Sequence, residues 1–257
     1  MRLAGPSNAN ARRAVVACAH ARRTLAESNS HHRPRRWGAY IPSRLPTIGR
    51  IVRRPPSEIS STLKWGMQVF DTGLRDVKRL RPQKNGDERG WFSEVFNART
   101  FAVAGLPERF VQDNQSFSQR GVLRGLHYQL LQPQGKLIRP LSGHIWDVAV
   151  DLRPYSPDFG KWAGFHLHGD EMEFLWIPEG FAHGFVVLSE TANVLYKTTD
   201  FYCPAGERCV RWNDPTLNIA WPLDGIEAPL ISAKDAKGTS LQDSELPAPL
   251  DLHHPIA

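Results

Sequence analysis

The sequence has little of several features that define large classes of proteins. Its three cysteines, Cys18, Cys203 and Cys209, are scattered through 257 residues, and so sparse and odd a set does not support a disulfide framework or a zinc site. No apolar run approaches the roughly 18 residues that a membrane helix needs. A glycine-rich phosphate loop of the P-loop or Rossmann kind is absent. We therefore expect a protein of a reducing compartment, the cytoplasm, without a membrane span.

The positive charge of the chain is confined to its first quarter. The formal net charge is +6, but residues 1–66 hold 12 arginines and one lysine against two glutamates, which leaves residues 67–257 net negative. A nucleic-acid partner for the body of the protein is therefore not expected.

Residues 1–66 lack sustained periodicity and combine Arg pairs, Pro, Ser and His with few aliphatic stretches. Such a segment buries too little apolar area to offset its ordering entropy. Three interpretations are open: a disordered basic tail, a transit-like peptide, or translated sequence upstream of a natural start at Met67. We favour the last, because a clear pattern begins immediately after Met67.

From Met67 onward, short apolar runs alternate with turn signals such as NGDERG at 85–90, QPQG at 132–135 and PEG at 178–180. This spacing is typical of an antiparallel sandwich or barrel. We predict an all-β domain over 67–240 with a few short helices, followed by a peripheral Pro-rich tail at 241–257.

Individual elements can also be predicted. In His144–Leu152, Trp146, Val148, Val150 and Leu152 alternate with Ile145, Asp147, Ala149 and Asp151, as in a strand. Phe185–Leu188 and Val194–Thr198 also predict strands. Asn97–Gly105 predicts a short helix, with Asn97 as its cap and Gly105 as its stop.

The segment PEGFAHGF at 178–185 carries a Pro-x-Gly-x-x-His pattern that resembles the second signature of cupins, which are jelly rolls. The first cupin signature would supply a His-x-His pair, but the corresponding strand, GVLRGLHYQ at 121–129, contains a single histidine, His127. His144, His166 and His168 remain, with the last two at a predicted strand end. A catalytic metal needs several ligands that converge on one point, so we expect no metal and chemistry by side chains.

Longer segments resemble the dTDP-4-dehydrorhamnose 3,5-epimerase family, in order and without large gaps from about residue 67 to about 240. They are VQDNQSFSQRGVLRGLHYQ at 111–129, QGKLIRPLSG at 134–143, DVAVDLRPYSPDFGKW at 147–162, LWIPEGFAHGFVVLSE at 175–190, LYKTTDFYCP at 195–204 and LISAKDA at 230–236. The resemblance implies a jelly-roll isomerase without metal, flavin or nicotinamide. It also implies a homodimer in which the DERG segment at 87–90 reaches the neighbouring subunit's site.

The substrate of that family is a 4-keto-6-deoxyhexose linked to thymidine diphosphate. Inverting C3 and C5, which flank the ketone, needs a base, a group that holds the enolate oxygen, and an acid on the opposite face. The resemblance implies that His127 is the base, since histidine ordinarily titrates near neutrality, and that Asp235 fixes its tautomer. It implies Lys136 as the electrophile beside the enolate and Tyr196 as the acid, because a phenol is ordinarily protonated at pH 7.

The match also implies the residues that contact the substrate, with Arg and Lys suited to the diphosphate and Tyr202 to stacking on thymine. These residues are Arg89, Glu94, Gln112, Asn114, Arg124, His183, Tyr202, Glu207 and Lys234. Asp147 matches an acidic family position without an assigned role. On a regular strand Arg124 and His127 would face opposite ways. A bulge at Gly125 would bring both into the pocket; otherwise Arg124 contacts the ligand from the rim.

Three alternatives to the two-centre epimerase remain open. A relative that epimerises one centre would keep His127 and Asp235, and Tyr196 mildly favours the two-centre enzyme. The others are a metal-dependent cupin oxygenase or isomerase and a non-catalytic sugar-binding cupin.

Overall fold

The computed structural model describes residues 61–62 and 66–249, so the predictions for residues 1–60 lie outside the described range. The described chain is built mainly from short strands. They are β1 (Ser61–Thr62), β2 (Gln68–Asp71), β3 (Lys78–Arg81), β4 (Asn85–Asp87), β5 (Gly90–Phe92), β6 (Gln112–Gln119), β7 (Leu123–Gln129), β8 (Lys136–Ser142), β9 (His144–Asp151), β10 (Trp162–His168), β11 (Phe174–Ile177), β12 (Phe181–Val187), β13 (Thr191–Thr198) and β14 (Glu207–Cys209). None of the helices in this part of the chain has the length and hydrophobicity needed to span a bilayer.

The strands form two main sheets. One has seven strands in the order β1-β2-β3-β11-β8-β13-β6, and the other has five in the order β10-β9-β12-β7-β14. Neighbouring strands pair antiparallel in both sheets. Strands β4 and β5 form a separate hairpin whose residues are all exposed. From β6 onward, chain neighbours lie in different sheets except for β9 and β10. The predicted all-β jelly roll is confirmed.

The predicted helix is present as α1 (Ala98–Val103). The Asn97 side chain accepts hydrogen bonds from the backbone N–H groups of Arg99 and Thr100, as an N-cap does. Gly105, with φ +68°, follows the helix in the left-handed conformation that ends many helices. A 3₁₀ helix spans Asp235–Lys237.

The interior of the sandwich joins apolar side chains from both sheets. Ile138 and Val194 from the seven-stranded sheet pack with Ile145, Ala149 and Phe185 from the five-stranded sheet. The predicted alternation in β9 is confirmed, since Ile145 and Ala149 face this interior while Trp146, Val148 and Val150 join a second core.

The second core covers the outer face of the five-stranded sheet. Its members from the C-terminal part of the chain are Val210, Leu217 and Leu241, with Trp212 and Trp221 packed against them. The central strands β9 and β12 are therefore buried on both faces, and His144 is their one residue that is not buried.

The tail predicted to begin at 241 contacts this region. The Tyr128 hydroxyl donates a hydrogen bond of 2.7 Å to the carbonyl oxygen of Glu245. The limits of the domain at 67 and 240 remain a prediction.

Strand β7 contains the predicted bulge at Gly125. His127 pairs with His183 and Arg124 with Phe185, so two residues of β7 lie opposite the single residue Gly184 of β12. Gly125 has φ +123°, and a Cβ there would lie 2.6 Å from the Gly184 Cα atom. Only glycine fits both the backbone angle and the space.

We expect Gly125→Ala to destabilise the protein strongly, and Gly90 supplies a matched control. Gly90 has φ +124° but nothing within 4 Å of an added Cβ, so Gly90→Ala should cost only the backbone strain of about 1–3 kcal/mol. Gly125→Ala should cost at least about 2 kcal/mol more, because it adds a backbone clash. Urea unfolding of both variants measures the difference, and equal losses would show that close packing at Gly125 is unimportant.

Candidate active site

Paired residues on the five-stranded sheet align functional side chains in one row. Cys209 of β14 lies opposite His127 of β7, and His127 lies opposite His183 of β12. Directly paired residues project to the same face of a sheet. These three side chains therefore share the face that lines the sandwich interior.

His127 forms a dyad with Asp235. The His127 Nε2 atom lies 2.7 Å from Asp235 Oδ1, and Asp235 Oδ2 accepts a hydrogen bond of 3.2 Å from the Gly125 backbone N–H. Burial raises the pKa of the Asp235 carboxyl, but the hydrogen bond and charge of His127 outweigh it and hold that pKa below its usual value. An ionised carboxylate at this place keeps the imidazole proton on Nε2 and leaves the lone pair on Nδ1.

The opposite wall of the site comes from the seven-stranded sheet. Lys136 opens β8, and its buried Nζ donates a hydrogen bond of 3.2 Å to the His127 carbonyl oxygen. Burial lowers the pKa of Lys136 to about 8, although the carboxylates of Asp147 and Glu207 oppose the shift. Tyr196 lies on the adjacent β13, and burial raises the pKa of its phenol. At neutral pH, Lys136 is therefore mainly charged and Tyr196 is protonated.

A second histidine–carboxylate pair lies deeper. The His183 Nε2 atom is 2.9 Å from Asp147 Oδ2, and both side chains are buried. Burial lowers the pKa of His183 and raises the pKa of Asp147, and each partner opposes the shift of the other. Asp147, for which no role was predicted, thus fixes the orientation of His183.

Polar side chains at the mouth of the site hold one another. The Tyr202 hydroxyl donates a hydrogen bond of 2.6 Å to Glu207 Oε2, which raises the pKa of Tyr202 to about 12. Lys234 forms an ion pair with Glu207. The Gln112 Nε2 atom donates to Asn114 Oδ1 at 2.8 Å.

Most of the sequence-predicted residues surround one pocket of about 350 Å³. Its lining contains Gln112, Asn114, His127, Lys136, Tyr196, Tyr202, Glu207 and Lys234, together with Tyr128, Gln129 and Gln134. Asp235 and His183 do not line the pocket but interact with residues that do. Asp235 contacts His127, and the charges of His127 and Lys136 act on His183.

Besides His183, three predicted contacts lie outside this lining. Arg89 is on the exposed β4–β5 hairpin, where it pairs with Asp87. Glu94 accepts a hydrogen bond from the Asn97 side chain. Arg124 is exposed and donates to Ser118 Oγ at 3.1 Å. Its charge still acts on Tyr196, which places it at the rim of the site.

Sequence reasoning missed Gln129, Gln134 and Cys209. A signal exists for Gln129, because it follows His127 by two residues within β7, which puts both on one strand face. Gln134 lies in the irregular segment before β8, so alternation does not predict its position. Cys209 had no such signal, since its position depends on the pairing of β14 with β7. Among the described residues, His127, Cys209 and Asp235 have possible metal-ligand atoms within 4.8 Å of one another.

The remaining histidines form a separate cluster. His144 Nε2 lies 2.9 Å from His166 Nδ1, and the rings of His144 and His168 stack with centroids 3.8 Å apart. They do not line the pocket that contains His127.

Comparison with known proteins gives consistent matches. The family model described as dTDP-4-dehydrorhamnose 3,5-epimerase matches residues 71–243. A dTDP-4-dehydrorhamnose 3,5-epimerase from Pseudomonas aeruginosa is 54% identical over 180 residues, which cover 70% of this chain and 98% of that protein.

Solved structures match as well. A dTDP-6-deoxy-D-glucose-3,5-epimerase from Legionella pneumophila, in complex with dTDP-4-keto-L-rhamnose, has a TM-score of 0.68 and 48% identity, and covers 70% of this chain and 97% of its own. A 3'-monoepimerase from Streptomyces bikiniensis, in complex with dTDP-quinovose, has a TM-score of 0.61 and 32% identity, and covers 66% of this chain and 86% of its own.

The fold and these matches define the class of the protein as a cupin-like jelly-roll isomerase. The chain belongs to the dTDP-4-dehydrorhamnose 3,5-epimerase family.

The lowered pKa of Lys136 predicts a pH dependence of stability. A lysine with a folded pKa of about 8 and an ordinary unfolded value of 10.5 binds fewer protons when folded. The free energy of unfolding should therefore rise with pH between those two values. Lys136→Met lacks this group. The free energy of unfolding of the wild type, measured relative to that of Lys136→Met, should therefore rise by up to about 3 kcal/mol between pH 7 and pH 10. Urea unfolding at both pH values checks this, and a constant difference would contradict the lowered pKa.

Proposed function

We propose that the chain catalyses 3,5-epimerisation of dTDP-4-dehydro-6-deoxy-D-glucose to dTDP-4-dehydro-L-rhamnose. One observation carries the proposal beyond family membership: His127 and Tyr196 line the same pocket from opposing sheets. Inversion at carbon requires a proton to leave one face of the sugar and return to the other. A base on one wall and an acid on the other meet that requirement.

His127 acts as the base through Nδ1. Its Nε2–H donates to Asp235, so the Nδ1 lone pair is free to take the proton from C3 or C5. As His127 becomes an imidazolium, the neighbouring carboxylate stabilises the new charge. Asp235 thereby orients the base without itself taking the proton.

Lys136 stabilises the enolate. Removing a proton next to the ketone moves negative charge onto the C4 oxygen, and a buried cation interacts strongly with that charge. Its pKa of about 8 leaves the ammonium mainly charged at pH 7. Tyr196, whose pKa is raised by burial, keeps its proton until it donates to the carbanion.

The mouth of the pocket suits the nucleotide. Lys234 and Arg124 supply cations for the diphosphate, and half-exposed Tyr202 offers an aromatic face for thymine. Glu207 holds Lys234 and Tyr202 in place before substrate binds. Diphosphate binding would then exchange one partner of Lys234 for another.

We also place the reaction in the cytoplasm. The chain has only three cysteines, and so sparse a set agrees with a reducing compartment.

Solvent exchange into the 4-keto sugar tests the reaction. In D2O, the wild type should introduce deuterium at C3 and C5, and His127→Asn should slow this exchange by about 10²–10⁴-fold. Tyr196→Phe should keep exchange at the first centre and lose inversion, because its base is intact. His166→Asn, outside the pocket, is the matched control and should retain the wild-type rate.

The outcome also separates the alternatives. Exchange at one carbon would identify a single-centre epimerase, and no exchange at either carbon would favour a binding module. Near-stoichiometric iron, manganese or zinc in active purified protein would favour a metal-dependent cupin.

We further propose that the active form is a homodimer in which the β4–β5 hairpin reaches the partner's site. The hairpin residues are exposed in the single chain, including the large side chains of Trp91 and Phe92. Arg89 at its turn pairs only with neighbouring Asp87 among the ion pairs of the described residues. Exposed aromatic side chains beside an arginine are suited to a contact with a second copy of the chain.

Mixed dimers test this arrangement. Arg89→Ala and His127→Ala homodimers should both be weakly active. Their hybrid contains one intact site if Arg89 acts across the interface. A statistical mixture should then recover about one quarter of wild-type activity. No recovery in hybrids verified by mass spectrometry would place Arg89 in its own subunit's site or outside both.

A further inference from the structure

Cys209 adds a soft ligand to the His127–Asp235 dyad. It pairs directly with His127 across β14 and β7, so both side chains lie on one sheet face. One ligand atom from each of His127, Cys209 and Asp235 falls within 4.8 Å of the others. The three residues come from a strand, the adjacent strand and the 3₁₀ helix, so the site is built by the tertiary fold.

We propose that His127, Cys209 and Asp235 form an inhibitory binding site for Zn²⁺ and similar thiophilic divalent cations. Imidazole, thiolate and carboxylate are the donors that zinc prefers, whereas Mg²⁺ and Ca²⁺ select oxygen ligands. Three protein ligands leave a fourth position for water from the pocket. On binding, the thiol proton of Cys209 would leave to solvent, and the single imidazole proton of His127 would be held on Nδ1 instead of Nε2, so that the ring stays neutral.

The histidine and the carboxylate need to move little, whereas the Cys209 sulfur, which lies within 4.8 Å of both, would approach them. Two ligands on a tetrahedral zinc, at about 2.0–2.1 Å from the metal, lie about 3.3 Å apart. The His127 and Asp235 atoms, now 2.7 Å apart, would therefore separate by roughly half an ångström. His127 has 29% of its side chain exposed, so an ion can enter from the pocket.

Binding would stop the proposed reaction, and this consequence rests on that function. The metal would take Nε2 and separate the imidazole from the carboxylate that stabilises its protonated form. The positive ion would also disfavour a second positive charge on the ring. The inhibitor site and the base would thus share His127.

Direct metal binding tests the site independently of activity. Cobalt(II) chloride should be titrated into the reduced, metal-free full chain. One equivalent should give the near-ultraviolet band of a thiolate–cobalt bond, and added Zn²⁺ should remove it. Cys209→Ser should lose the band, while Cys203→Ser, the matched control at the other described cysteine, should keep it.

Two results would overturn the proposal. They are the absence of a thiolate–cobalt band in the wild type and its persistence in Cys209→Ser. His127→Asn and Asp235→Asn should each weaken cobalt binding by at least about tenfold. Unchanged affinity in both variants would place the metal elsewhere.

Inhibition completes the test. Zn²⁺ should suppress solvent exchange by the wild type, and a chelator should restore it. Cys209→Ser should keep exchange without zinc and need at least about tenfold more zinc for the same inhibition. If the cobalt band appears while the wild type shows no exchange, the metal site stands and the proposed function fails. If the wild type shows exchange but no cobalt band, the proposed function stands and the metal site fails.

Discussion

The hydrogen bond between His127 and Asp235 is the interaction on which the candidate site depends. It selects the tautomer that leaves a basic nitrogen, and it joins β7 to a short helix 108 residues further along the chain. Asp235 also accepts from the Gly125 backbone N–H. The same carboxylate therefore contacts both the candidate base, His127, and the bulge at Gly125.

The two sheets of the sandwich place the dyad opposite the other polar side chains of the site. Each sheet supplies one wall, with His127 and His183 on one side and Lys136 and Tyr196 on the other. The backbones of two packed sheets lie about 10 Å apart, and the side chains of both sheets fill the space between them. A flat sugar ring held between such walls presents one face to each. Burial shifts the two pKa values on that second wall in opposite directions. It raises the pKa of Tyr196, which keeps its proton, and lowers the pKa of Lys136.

Local sequence patterns predicted local structure well. Alternation identified β9, Asn97 and Gly105 bounded the helix, and the spacing of Arg124 and His127 suggested either a bulge at Gly125 or a rim position for Arg124. The structure has both. Such features depend on a few neighbouring residues and on backbone sterics.

Features set by distant pairing were less accessible to prediction. Cys209 reaches His127 only because β14 joins β7. The irregular segment with Trp212 and Trp221 covers the five-stranded sheet, and no local pattern in that segment predicts this contact. Asp235 sits in a turn-like segment, where a carboxylate is ordinarily solvated, so the family resemblance rather than periodicity identified it. Arg89 lies on an exposed hairpin, where its ion pair with Asp87 gives no sign of a substrate contact.

The cover on the five-stranded sheet has a consequence for biosynthesis. Trp221 and Leu241 from the end of the domain seal the outer face of β9, and Asp235 lies between them in sequence. During translation the strands that carry His127 and Lys136 leave the ribosome long before these residues do. A nascent chain thus exposes one apolar sheet face and an imidazole without its carboxylate. The dyad and the cover on this sheet face are thus completed together, by residues 221–241.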